Sequence, residues 1–191
     1  MSLVELPRWF SVQGECLASE ICQYPSLTYF DDVQLSDSLV HGEIENACVI
    51  ACSDMGASLP FVCSDPKVKL LIFQDFGHSC LSSGAIEVID EYNLQHVIIY
   101  GHQNCEFARF RDRALIDSFS KLKQEADEDA HCLYKELARY NVLKELRTLI
   151  ENTSNKTLKI HGWVYDANQR LLEVFDPDKR GFVISQSGRL S

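Results

Sequence analysis

Positive charge is scarce in this chain. Lysine and arginine number 18 against 28 aspartates and glutamates, giving a formal net charge of −10 over 191 residues. Nucleic acid and anionic membrane surfaces both need a basic face, so neither is expected as a partner. Long apolar runs are missing too: no stretch approaches the ~20 residues that span a bilayer. The opening residues, Met1-Ser2-Leu3-Val4-Glu5-Leu6-Pro7-Arg8, have no basic segment leading into an apolar core, so no secretory signal is expected. Internal repeats and low-complexity tracts are also absent. Together these absences point to a cytoplasmic protein. The eight cysteines (16, 22, 48, 52, 63, 80, 105 and 132) then read as reduced thiols rather than a disulfide framework. The sequons at Asn152 and Asn155 carry no weight without a secretory signal. The acidic run from Glu125 to Asp129 reads as a solvated helix end.

The length suits one well-buried domain and is too short for two ordinary ones. Residues 1–44 read as an N-terminal helical arm, with helices over 11–24, closed by Pro25, and over 31–40. The arm has two possible resting places, its own domain or a second subunit. Residues 45–191 read as a single α/β domain. Ala47 to Ala51, Val68 to Phe73 and His96 to Tyr100 are short apolar runs that suit strands covered on both faces. Ser82-Ser83 is placed to cap a helix whose apolar residues Ile86, Ile89 and Tyr92 recur at helical spacing. Residues 107–152 are helical in pattern, with a break near 127–130. Thr157 to Tyr165 is a fourth strand, continued by Leu171 to Phe175 and by a short piece over 182–184. Strands alternating with helices predict a central, mainly parallel β-sheet of about four to five strands with helices on both faces.

In such sheets ligands sit beyond the carboxyl ends of the strands. Two groups with metal-binding chemistry fall there: Cys52-Ser53-Asp54 after the first strand, and Gly101-His102-Gln103-Asn104-Cys105 after the third. His-x-x-Cys alone is weak, because cysteine often serves as a small buried hydrophobe. A Cys-x-Asp at a second strand end favours a zinc site with Cys52, His102 and Cys105 as three tetrahedral ligands and a fourth position left over. Mixed thiolate and imidazole ligation favours zinc over iron or copper. The other cysteines have no paired spacing, Cys48 is expected to face the sheet interior, and His41, His96, His131 and His161 show no visible partners.

At these residues the chain resembles the β-class carbonic anhydrases, which carry Cys-x-Asp-x-Arg after the first strand and Gly-His-x-x-Cys-Gly after the third. Further likeness lies in Asn141-Val142-Leu143-Lys144-Glu145-Leu146 and in Ile160-His161-Gly162-Trp163-Val164-Tyr165-Asp166, so that it spans roughly residues 45–175. The resemblance implies one Zn2+ per chain held by Cys52, His102 and Cys105. It implies Asp54 as the catalytic acidic partner of zinc-bound water, and a homodimer or higher homo-oligomer. The implied reaction is reversible hydration of CO2 to bicarbonate by zinc-bound hydroxide.

Three positions depart from the family pattern. Gly56 stands where the arginine would fall, Glu106 replaces the glycine after the second cysteine, and Gln74-Asp75-Phe76-Gly77 replaces an Arg-Asn-x-Gly-like turn. The arginine's grip on the aspartate is charge-assisted and bidentate, on the order of 1.5–3 kcal/mol. With Gly56 that grip is gone, and Asp54 is freer to close onto the metal. Zinc held by two thiolates and one imidazole also acidifies water less than a three-histidine site. A weakly active enzyme is therefore expected, unless another cation such as Arg109, Arg111 or Arg113 takes the arginine's place. The alternatives are a catalytically silent, zinc-bound structural homologue, or a hydrolase of a related small electrophile such as carbonyl sulfide or carbon disulfide.

Overall fold

The computed structural model describes residues 5–44, 46–55, 69–75, 84–103, 105 and 128–189. The sheet is organised by strand β1 (Asn46–Cys52), whose small and β-branched residues are buried on both faces. Cys48 and Ile50 turn to one side, where they join a core under the helices; Ala47, Val49 and Ala51 turn to the other. This period of two, apolar on both phases, is what a central parallel strand requires. β1 pairs in parallel with β2 (Lys69–Asp75) and with β3 (His96–His102). β4 (Lys159–Asp166) continues the parallel run beside β3. β5 (Leu171–Asp176) and β6 (Gly181–Arg189) then return antiparallel. The order is β2-β1-β3-β4-β5-β6, so the sheet has six strands rather than the expected four to five. The last strand, β6, contains the short piece expected over 182–184 and runs on through a polar second half that forms by pairing with β5 rather than by apolar pattern. Asp166 and Asp176 build the turns that flank β5: Asp166 Oδ1 accepts the Asn168 and Gln169 amides, and Asp176 Oδ1 accepts those of Asp178 and Lys179.

Helix α1 (Leu6–Ile21) starts earlier than its apolar pattern suggests, with Pro7 in the first turn where a missing N–H costs nothing. α2 (Asp32–Val40) is held by a capping box: Asp31 Oδ1 accepts the Gln34 amide at 2.9 Å, and Gln34 Oε1 accepts the Asp31 amide at 3.0 Å. α3 (Ala85–Glu91) has Gly84, at φ +68°, as its N-cap and no side-chain cap, so the expected serine cap is not the residue that starts this helix. Ser82 and Ser83 lie outside the described residues. α4 (Glu128–Asn152) covers the sheet. It comes close to β4 because Gly162 has no side chain; a Cβ there would sit 2.8 Å from Leu146 Cδ1. Arg139 on α4 also makes a two-bonded contact to the buried Glu173 of β5, at 2.8 and 2.9 Å.

The arm lies on its own chain. Leu6 and Phe10 of α1 pack with Leu133 and Leu137 of α4. Residues 26–28 then run beside the start of β4, where the Ile160 amide donates to the Ser26 carbonyl at 2.7 Å. Trp163 Nε1 closes the segment by donating to the Phe30 carbonyl, also at 2.7 Å.

Candidate metal centre

β1 and β3 are neighbours in parallel register, so their carboxyl ends lie on the same edge of the sheet. Cys52 is the last residue of β1 and His102 the last of β3. A single 3-10 turn, Ser53–Met55, follows β1 and carries Asp54 back over that edge. Cys105 arrives three residues after His102. One donor atom from each of Cys52, Asp54, His102 and Cys105 falls within 4.8 Å of the others. Cys52 and Cys105 are buried, with their sulfurs 3.3 Å apart, while Asp54 stands on the solvent side.

The donor set fits zinc. Tetrahedral zinc with sulfur at ~2.3 Å holds two thiolates about 3.8 Å apart, so the two sulfurs need open by only about 0.5 Å. His102 Nδ1 donates to the Gln103 carbonyl at 2.8 Å, which fixes the ring and leaves Nε2 facing the other donors. Nε2 is buried and makes no well-formed hydrogen bond, although the Asp54 carboxylate and the Cys52 sulfur both press on it. Two sulfurs, an imidazole nitrogen and a carboxylate oxygen gathered within 4.8 Å of one another are donor types that zinc takes. The protonation state of Cys52 agrees. The hydrogen bond from Cys105, aided by His102 and opposed by burial, brings the Cys52 pKa down to about 5, so Cys52 is a thiolate at neutral pH. Burial works against a charged His102, but Cys52 and Asp54 outweigh it and hold the pKa above its ordinary value.

Two residues that sequence reasoning assigned no role support the ligand loop. Gln103 Nε2 donates to Asp166 Oδ2 at 3.0 Å, both side chains being buried, and the Gln103 amide donates to the Tyr165 carbonyl at 3.0 Å. The residue beside His102 is thus clamped to the end of β4. The only sequence signal was the Tyr165-Asp166 pair in the stretch resembling the family.

Several sequence expectations fall elsewhere. Gly56, Glu106, Arg109, Arg111, Arg113, Cys63 and Cys80 lie outside the described residues. Cys48 is buried within the sheet, as expected. The histidines that showed no visible partners have them. His96 and His161 are hydrogen-bonded to each other at 3.0 Å, His41 Nδ1 lies 2.8 Å from the Asp37 carbonyl, and His131 faces Asp166 at 3.7 Å. These pairs join residues distant in sequence or use backbone groups, neither of which spacing reveals. Among the described residues no helix is long and apolar enough to cross a membrane.

No protein-family model matches the chain, and no curated protein matches it. Solved structures do. The β-carbonic anhydrase CcaA is 18% identical over 81% of this chain and 83% of its own, with a TM-score of 0.54. The β-carbonic anhydrase CafD of the filamentous fungus Aspergillus fumigatus is 19% identical over 65% of this chain and 85% of its own, with a TM-score of 0.47. On the strength of the first of these, the chain has the fold of the β-carbonic anhydrases.

Proposed function

We propose that this chain is a zinc-dependent carbonic anhydrase-like protein that reversibly hydrates CO2 to bicarbonate. The observation that carries the reading is the convergence of Cys52, Asp54, His102 and Cys105 beyond the ends of two parallel strands. Cys52, His102 and Cys105 would hold one Zn2+ per chain. When bound, the ion supplies a Lewis acid that lowers the pKa of water and polarises a substrate oxygen. Cys52 brings a preformed thiolate, and His102 brings an imidazole oriented by the Gln103 carbonyl. Asp54 is the catalytic carboxylate, placed to orient the attacking water and to accept its proton. The buried walls beside Cys52 and Cys105 exclude bulk water from the inner side. The family resemblance further implies a homodimer or higher homo-oligomer, which sedimentation equilibrium measures directly.

A second reading draws on one observation. The Asp54 carboxylate lies against His102 Nε2, so it is near enough to the other donors to complete a closed, four-donor structural site. Stopped-flow CO2 hydration separates the two, on protein of verified zinc content and across about pH 6 to 9, where zinc-bound water ionises. A rate above buffer that rises with pH supports the enzyme. A rate no better than buffer at full zinc loading rejects it. Gly56→Arg then tests the reason: a strong gain in rate identifies Asp54 closure as the block, and no gain refutes that account.

A further inference from the structure

A second cavity lies at the other end of the parallel strands, where β3 begins at His96. It holds about 280 Å3, is walled by Phe30 and Ile44, and takes its polar groups chiefly from Ser38, Glu43, His96 and Lys159. Two imidazoles in its wall form a directed chain. The Thr28 carbonyl can only accept, so His161 Nδ1, 2.9 Å away, donates to it. Burial keeps His161 neutral, with its pKa pushed down to about 3, so its Nε2 is bare. His161 Nε2 therefore accepts from His96 Nδ1 at 3.0 Å. Burial, aided by the charge of Lys159, keeps His96 neutral too, pushed down to about 4. The open lone pair at the end of the chain is His96 Nε2. Phe30 packs against both rings, with centroids 4.9 and 4.7 Å away, and holds them in place.

His96 is only 8% exposed and lines the cavity. Its Nε2 has no hydrogen-bond partner among the described residues. Nε2 is reached from solvent rather than sealed in, and a lone pair open there favours a ligand that brings a hydrogen-bond donor. The charges define the rest. Glu43 and Lys159 are exposed side chains of the cavity lining; Glu43 receives only a long hydrogen bond from Ser38, at 3.4 Å, and no ion pair within the described residues engages either of them. A simple anion would be drawn to Lys159 and repelled by Glu43; a simple cation would meet the reverse. A molecule carrying both charges satisfies both. We propose that this cavity binds a small zwitterion of the α-amino-acid class, its ammonium donating to His96 Nε2 and the Glu43 carboxylate, its carboxylate pairing with Lys159, and its side chain lying on Phe30 and Ile44.

The test titrates L-leucine into the full chain and follows the 15N resonance of His96 Nε2. The comparison ligands are 3-methylbutylamine, which lacks the carboxylate, and 4-methylpentanoate, which lacks the ammonium. Leucine is expected to move the resonance saturably from its bare toward its hydrogen-bonded position, and each singly charged analogue to bind at least tenfold more weakly. Lys159→Met should bring leucine down to the level of the amine, and Glu43→Gln down to that of the acid. His96→Phe keeps a ring against Phe30 and should abolish binding, which is then followed by calorimetry. If that variant fails to fold, the two charge variants still decide. Equal binding of either analogue, or no saturable shift with millimolar leucine, overturns the proposal. The cavity shares no residue with the metal centre, so the outcome does not depend on zinc.

Discussion

Gly162→Ala tests whether the approach of α4 to β4 depends on a missing side chain. A Cβ at this position meets Leu146 Cδ1 at 2.8 Å, Val142 Cγ1 at 3.0 Å and the Phe175 Cβ at 3.4 Å. The first contact is shorter than real Cβ atoms tolerate, and all three neighbours are buried. Two effects oppose each other. Overpacking a filled core costs roughly 1–3 kcal/mol. Replacing glycine in an extended segment returns about 0.4–1 kcal/mol by restricting the unfolded chain. The steric term wins, for a net loss of about 1–2 kcal/mol, or about 2–8 °C in Tm for a domain of this size. Urea unfolding checks it, with the midpoint expected to fall at unchanged slope. A double-mutant cycle sharpens the cause, because Leu146→Ala removes the atom nearest the new methyl. In the wild-type background that truncation should cost about 2–5 kcal/mol; in Gly162→Ala it should cost about 1 kcal/mol less. An unchanged midpoint, or strictly additive costs, refutes the reasoning.

The His96–His161 pair predicts acid sensitivity. Both titrate near 6.5 when unfolded, but burial holds them at about 4 and about 3 when folded. The unfolded chain thus binds more protons between these values. Their contribution is fully present above about pH 6.5 and is lost as pH falls, at about 1.4 kcal/mol per pH unit for each ring. The urea midpoint should drop between about pH 6.5 and 5, and less steeply in His96→Phe; equal slopes would remove the pair as the cause. At the metal centre, Gln103→Ala frees the loop between His102 and Cys105 and should weaken zinc about 10–100-fold in chelator competition. Unchanged zinc affinity would show that the clamp to Asp166 does not position the ligands.

The sequence by itself determined the central strands and the place of the candidate site. β1 and β3 are covered on both faces, so each is a continuous apolar run, and such runs are legible without a structure. Cys52, Asp54, His102 and Cys105 follow the ends of those strands, and parallel pairing brings strand ends together whatever the rest of the chain does. The tertiary structure alone decided the features made by residues far apart in sequence. β6 runs on beyond the apolar 182–184 because β5 offers it a partner, and its polar half carries no pattern of its own. The arm lies on α4 because Leu6 and Phe10 find Leu133 and Leu137 there. Gln103 clamps to Asp166 across 63 residues and His96 bonds to His161 across 65. Spacing cannot encode such contacts, since their geometry is set by which strands lie side by side. Sequence periodicity reports burial, but the pairing of buried polar groups depends on the register between strands, which appears only in the folded sheet.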